Sequence, residues 1–350
     1  MFKKVEVSII ILLFAFVIYC SLITGGWWDE IYEMNIGKDR LKYLFSFGSH
    51  EYFDFHIYTK FYPGFYNTLA IFVTKIFPLK YETEVWRLTH VSFSILAMFG
   101  IYKISSNLFN KKVGKIVFLL CFLNPIFFGH MIMNSKDTIV VFAHVWSTYI
   151  FLRYLQKQDI KKKRNRYVLL AGITIGLGMG VRFPFLVTLL PLFIFSLIDV
   201  SFLKKITIKN FSFKNYLVDL CKIFSIGYLI SISFWPQVHS NIFTEPFNLL
   251  MEQASQQGGG VAWMLFNGNI FPTNQLPKTY IITNLIYKSP EFLILCYLLF
   301  IFFIVINKKY FLNSFNFFWS KIFLLLLIFL FPLIYFTLRF LIWFFFVPEE

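Results

Sequence analysis

Four short stretches of this chain carry ionisable side chains in patterns that suit chemistry. The first is Trp27-Trp28-Asp29-Glu30, two adjacent carboxylates directly after an apolar run from about residue 7 to residue 23. A carboxylate at the edge of hydrocarbon is partly desolvated, which raises its pKa. It is a good proton acceptor where a neighbouring charge keeps it ionised. The plainer reading is an interfacial acidic pair, and the residues alone leave both open. The second stretch, residues 50–65, combines His50, Glu51, Asp54, His56, Tyr58, Lys60 and Tyr62 with a Pro63-Gly64 turn. Mixed acids, bases and tyrosines suit a sugar or phosphate headgroup as substrate. His50, Asp54 and His56 also have the donor types of a divalent-metal site, but their spacing matches no strong metal signature, and simple loop polarity is the alternative.

The third stretch is Asn134-Ser135-Lys136-Asp137, between two apolar runs. Either Lys136 and Asp137 face a ligand, or Ser135 caps the next helix and Asp137 complements its dipole. The fourth centres on Arg182, within Gly176-Leu177-Gly178-Met179-Gly180-Val181-Arg182-Phe183-Pro184. An arginine between two apolar runs is costly and is by default a functional residue. Its guanidinium matches phosphate oxygens two at a time, and the glycines allow close helix approach. Snorkelling to the interface is the competing account. Arg87, where the second long apolar run begins, is ambiguous in the same way.

These residues sit between segments built for hydrocarbon. The chain is 58% hydrophobic and 22% aromatic, with 49 Phe among 350 residues. A soluble domain of this length needs far more polar surface. About 20 apolar residues cross a bilayer, and spans are expected near 7–24, 88–108, 114–130, 138–155, 167–181, 184–199, 217–235, 286–306 and 322–346. The expected fold class is therefore all-α, a polytopic membrane bundle of about nine transmembrane helices forming one domain over residues 1–350. Residues 64–78, bounded by Pro63 and Pro78, read as an interfacial helix in the first long loop. Asn124-Pro125 is expected to kink the third span. The first run resembles a signal peptide, but no small-x-small cleavage site follows, so a retained helix is expected.

The net charge of +15 would suggest nucleic acid in a soluble protein. Here the lysines lie in short blocks between apolar runs, so topology is the better account. With the N-terminus inside, segments 1–6, 103–115, 153–166, 199–222 and 307–321 hold 21 of the 33 Lys and Arg but 4 of the 18 Asp and Glu. That is the positive-inside pattern. It puts the long loops 25–87 and 236–285, with most of the candidate residues, on the extracytoplasmic side. Cys20, Cys121, Cys221 and Cys296 show neither metal-type nor paired spacing and read as small buried hydrophobes.

The order of these pieces resembles a known group. A first helix ending in Asp29-Glu30 leads to a long loop with Lys60-x-Tyr62-Pro63-Gly64. Arg87-Leu88 then opens the second long helix, which closes in Leu108-Phe109-Asn110-Lys111-Lys112. Asn124-Pro125 follows, and Asn134-Ser135-Lys136-Asp137 starts the fourth span. This resembles the membrane glycosyltransferases of the GT-C superfamily, in particular glycosyltransferase family 39, the protein mannosyltransferase and aminoarabinose lipid A transferase type. The resemblance covers about residues 7–200 and, less clearly, 235–290. It implies an integral membrane enzyme that moves a sugar from a polyprenyl-phosphate donor to a protein, lipid or glycan acceptor on the extracytoplasmic face, with inversion. Within it, Asp29, Glu30 and Asp137 take the catalytic positions. Lys60, Lys136 and Arg182 take donor-phosphate positions, and His50, Asp54, His56, Tyr58, Tyr62 and Arg87 take substrate-binding ones. Thr59 departs from relatives that carry Glu before the Lys, and the chain is short for the group.

The implied chemistry requires no cofactor. A polyprenyl phosphate is already an activated leaving group, one carboxylate removes the acceptor proton, and Arg or Lys stabilises the departing phosphate. The implied partners are the donor, the acceptor and membrane lipids, with no nucleic acid. Two other classes remain on sequence grounds. A transporter or flippase for lipid-linked glycans would place charges near the bilayer midplane on paired broken helices. A non-catalytic relative would keep the groove without turnover.

Overall fold

The computed structural model describes residues 4–27, 29–50, 59–134, 136–255, 263–272, 275–277 and 279–346, with backbone alone for 254, 255 and 333–346. Its order is α1 (Lys4–Ile23), α2 (Glu30–Phe45), a 3-10 turn (Thr59–Phe61), α3 (Phe65–Thr74), α4 (Glu82–Leu108), α5 (Lys111–Leu123), α6 (Pro125–Met133), α7 (Asp137–Lys157), α8 (Lys161–Val181) and α9 (Phe185–Thr188). Then come α10 (Leu190–Ile198), α11 (Phe213–Ser233), α12 (Glu245–Ser255), strands β1 (Trp263–Phe266) and β2 (Asn269–Pro272), α13 (Tyr280–Lys288), α14 (Glu291–Ile306), α15 (Lys308–Ser314) and α16 (Phe318–Phe346). Among the described residues the protein is all-α apart from one hairpin.

The chain divides into two compact units, Met1–Leu189 with Ile208–Glu252, and Leu190–Thr207 with Gln253–Glu350. In the first unit, polar side chains fix where helices start. Asn110 Oδ1 accepts from the Val113 amide at 3.0 Å, and Asn124 Oδ1 accepts from the Ile126 and Phe127 amides, both at 3.0 Å. Pro125 occupies the first position of α6, where its missing N–H costs nothing. The α5–α6 pair bends there by 68°, in keeping with the kink expected at Asn124-Pro125. An apolar cluster of Val17, Val91, Met98, Tyr102, Phe118, Phe122 and Met131 joins α1, α4, α5 and α6. Helix α8 packs along α11. A Cβ at Gly172 would lie 2.7 Å from Ile226 Cβ, and one at Gly176 would lie 2.8 Å from Ile230 Cβ. Glycine at both positions is what lets these backbones approach. The charged ends of the same helices are tied by a buried network. Tyr154 donates to Asp219 at 2.9 Å, Gln158 donates to Tyr154 at 3.0 Å, and Arg164 pairs with Asp219 at 3.3 Å.

In the second unit, α10 packs on α16. Buried Asp199 closes the turn after α10 by accepting from the amides of Lys205, Ile206 and Thr207. The hairpin turns on Asn267 (φ 49°) and Gly268 (φ 81°). That Asn-Gly pair has the positive φ values a two-residue hairpin turn requires, a local signal in a segment expected only as a long loop.

The number of spans differs from the nine expected. Among the described residues, four helices are long and apolar enough to cross a membrane, and up to seven spans result if each bent pair counts as one. The expected span at 184–199 is broken into α9 and α10, with Pro184 and Pro191 opening the two pieces. The expected 286–306 span falls across α13 and α14, which bend by 103°. Helix α8 is 21 residues long, but its first turns carry Lys161, Lys162, Lys163, Arg164 and Arg166, which excludes it from a fully apolar crossing. Segment 64–78 does contain a short helix, α3, and the loop before it contains α2.

Gly64 decides how that loop returns to α3. Its φ is +75°, and a Cβ there would sit 1.2 Å from Arg40 Nη1. Gly64→Ala is expected to cost roughly 3 kcal/mol, from αL strain plus displacement of a buried guanidinium. The check is the apparent Tm in detergent. Gly25→Ala, with nothing within 4 Å of its Cβ, is expected to leave Tm unchanged.

Candidate active site

The end of α1, the start of α2, the 3-10 turn, the start of α7 and the end of α8 bring charged groups to one place. Asp29 is the residue before α2, and its side chain makes no capping hydrogen bond. Its carboxylate is about half exposed and lies 3.3 Å from Lys136 Nζ. The same ammonium is 3.0 Å from Glu33 Oε1. Glu33 sits one helical turn beyond Asp29, so the two carboxylates share a face of α2. At the start of α7, beside Lys136, Asp137 Oδ1 is 3.1 Å from Arg182. Both of those side chains are about half exposed.

Helix starts and tyrosine packing hold this arrangement. Asn134 Oδ1 accepts from the amides of Lys136 and Asp137 at 3.1 and 2.8 Å, and Asn134 Nδ2 donates to Asp137 at 3.0 Å. This asparagine fixes the turn, while Ser135, the cap in one of the two sequence alternatives, lies outside the described residues. The Tyr62 ring lies beneath both cations, 5.4 Å from Lys136 Nζ and 6.0 Å from the Arg182 guanidinium carbon. Fully buried Arg40 of α2 donates to the carbonyls of Thr59 at 3.2 Å and Tyr62 at 2.5 Å, which sets the path of that segment.

The site's electrostatics follow from burial. Burial pushes the Glu33 carboxyl up to about 7, against the pull of Lys136, with Asp29 and Asp137 adding to the rise. For Lys136, burial works against the charge, but Glu33 and Asp29 outweigh it and its pKa is raised. Lys136 is therefore a fixed ammonium between two carboxylates.

The other sequence candidates are placed as follows. Glu30 is 3% exposed and forms a two-pronged pair with Arg87, at 2.7 Å to Nε and 2.8 Å to Nη2. Arg87 also donates to the carbonyls of Thr24 at 2.6 Å and Ser21 at 3.4 Å, at the end of α1. The geometry commits these two residues to each other. Lys60 pairs with Glu252 at 2.5 Å and not with the Lys136 group. His50 pairs with Asp39 at 2.9 Å. Asp54, His56 and Tyr58 lie outside the described residues, as does Glu51. No group of three or more metal-ligating side chains occurs among the described residues. Glu33 and Arg40 were not singled out by sequence. The four-residue spacing from Asp29 to Glu33 was the available signal.

Comparison with protein families adds one finding. Residues 63–218 match the model of the dolichyl-phosphate-mannose-protein mannosyltransferase family. Over that stretch, somewhat under half of the chain, the sequence is similar to this family of GT-C-type membrane glycosyltransferases. Comparison with curated proteins and with solved structures returned no match. The matched stretch includes Arg87, Lys136, Asp137 and Arg182, while Asp29, Glu33 and Tyr62 precede it. The residues that meet around Tyr62 are thus drawn from both the matched stretch and the chain before it.

The Glu30–Arg87 pair gives a direct test of its structural part. Glu30→Gln leaves a buried guanidinium without its counter-charge and is expected to cost about 3–5 kcal/mol. Replacing both residues, as Glu30→Gln with Arg87→Met, is expected to cost less than the sum of the single changes. Thermal unfolding of the three variants in detergent measures the difference.

Proposed function

We propose that this chain transfers a sugar from a polyprenyl-phosphate donor to an acceptor hydroxyl, with inversion, at the extracytoplasmic membrane face. One observation carries the reading: two carboxylates, Asp29 and Asp137, alternate with two cations, Lys136 and Arg182, around the Tyr62 ring. The carboxylates supply a proton acceptor and an acceptor-orienting group. The cations supply charge for the phosphate. The GT-C family match supports the class of reaction, and the distribution of Lys and Arg between loops supports the side.

In this mechanism the acceptor O–H breaks and its proton passes to Asp29. The acceptor oxygen bonds to the anomeric carbon, and the bond from that carbon to the phosphate oxygen breaks. The bonding pair leaves on the phosphate, which gains one negative charge beside Lys136 and Arg182. Attack opposite the leaving group inverts the anomeric centre. Glu30 and Arg87 take a positioning role, since their pairing fixes the start of α2 and with it Asp29. Lys60, paired with Glu252, lines the approach beside Tyr62. His50, with Asp54, His56 and Tyr58 in the neighbouring sequence, supplies polar groups for the acceptor.

Asp29→Asn is expected to lower transfer about 100-fold or more, the usual contribution of a positioned base, with the protein still inserted and folded. Release of polyprenyl phosphate from a panel of polyprenyl-phosphate sugars is the measurement, and full activity in Asp29→Asn removes the base assignment. Arg182→Ala is expected to raise the donor KM about tenfold, the scale of one charged hydrogen bond. Unchanged donor kinetics removes its phosphate role.

A further inference from the structure

One ionisable group at the centre of this site has no part in the mechanism above. Glu33 is 2% exposed. Its Oε1 meets Lys136, while its Oε2 is buried with no hydrogen-bond partner among the described residues. A buried carboxylate oxygen without a partner is costly while charged, and protonation relieves that cost. The groups that face it are Asp29 on its own helix, Lys136 and Asp137 at the start of α7, and Tyr66 of α3, whose hydroxyl is also buried without a partner. The α4 charges that reach α2, Arg87 and Glu82, are committed to Glu30 and Lys38.

We propose that Glu33 is a positioning residue for the lipid phosphate, a counter-charge to Lys136 that takes up a proton when the phosphate binds. The proposal rests on the phosphate-binding reading above and deepens it. In the empty site, Lys136 is neutralised by two carboxylates and offers an incoming anion little net charge. Asp29 is half exposed and can turn to water, but Glu33 cannot. Adding phosphate beside Lys136 brings further negative charge to Glu33, which raises its hold on a proton. Its carboxyl already stands at about 7 because of burial, and uptake of a full proton at pH 8 requires the bound phosphate to lift it well above that pH. The sign follows. Above pH 7 the empty site holds ionised Glu33 and binding draws in a proton, whereas well below pH 7 Glu33 is already neutral and binding draws in little. Transfer makes the same demand, because the donor diester carries one negative charge and the product monoester two. A neutral Glu33 leaves the whole Lys136 charge to the leaving phosphate.

The test uses the full chain in lipid nanodiscs, with a short-chain polyprenyl monophosphate lacking sugar as the probe. Titration calorimetry at pH 8, in two buffers of different ionisation enthalpy, counts protons. At that pH the monoester, with its second pKa of about 6, is already dianionic and binds as such. Wild type is expected to take up close to one proton per lipid bound, and its affinity to weaken up to tenfold per pH unit from pH 7 to 9. Glu33→Gln is expected to bind with almost no proton uptake and with affinity flat over that range. Infrared spectra of the wild type supply a measurement that does not depend on the variant folding. A protonated-carboxyl carbonyl band is expected to grow when the probe binds at pH 8, and its absence overturns the proposal. Binding without proton uptake, or uptake that persists in folded Glu33→Gln, also overturns it and leaves the proposed function standing. Failure of the probe to bind at all removes the phosphate site itself, and both proposals with it.

Discussion

The Glu30–Arg87 pair is the interaction on which the site's geometry depends. Two near-parallel hydrogen bonds join the first residue of α2 to the first turns of α4, and the same guanidinium takes two carbonyls from the end of α1. Three chain segments are thereby locked at the point where the chain leaves its first apolar helix. A two-pronged pair fixes orientation as well as distance. Because Asp29 precedes Glu30 and Glu33 follows it by one turn, fixing Glu30 fixes the direction of both. The pair is buried, so its partners cannot exchange for water at low cost.

A second layer of restraint converts that anchor into a site. Arg40, two turns further along α2, draws the carbonyls of Thr59 and Tyr62 towards the helix, and Gly64 makes room for its guanidinium. Tyr62 thereby comes to lie under Lys136 and Arg182. Asn134 turns the chain into α7 so that Lys136 and Asp137 project on adjacent sides. The result is an alternation of charges within about 3 Å contacts, in which Lys136 meets both carboxylates of α2 and Arg182 meets Asp137. Such alternation keeps the cluster near neutrality while leaving Asp29, Asp137 and Arg182 about half exposed.

Much of this was legible without coordinates, for a physical reason. Apolar runs, asparagine caps and a proline after Asn124 act locally, so helix positions and the bend between α5 and α6 follow from neighbouring residues. The grouping of Asp29, Lys136, Asp137 and Arg182 was open to inference because charged residues are rare between apolar runs and stand out. Glu33 was harder to see. Its role depends on burial by α3 and on a lysine 103 positions away, and no local pattern carries that information. Lys60 was placed with the phosphate ligands through the family resemblance, yet its side chain meets Glu252 of α12, a partner nearly 200 residues on. The span count went astray where prolines and basic turns interrupt apolar composition.

By itself the sequence determined the class of this protein: composition and the spacing of apolar runs demand a helical membrane protein, because hydrocarbon accepts backbone only when its hydrogen bonds are satisfied internally. It also determined which charged residues are too costly to be incidental. Tertiary structure decided which of those residues meet. Glu30 and Arg87, alike in type to Asp29 and Arg182, became a buried anchor, while Asp29, Lys136, Asp137 and Arg182 became an accessible cluster with Glu33 beneath it. That division turns on packing between helices distant in the chain, and it is packing that sets the desolvation and distance on which the strength of every charged pair depends.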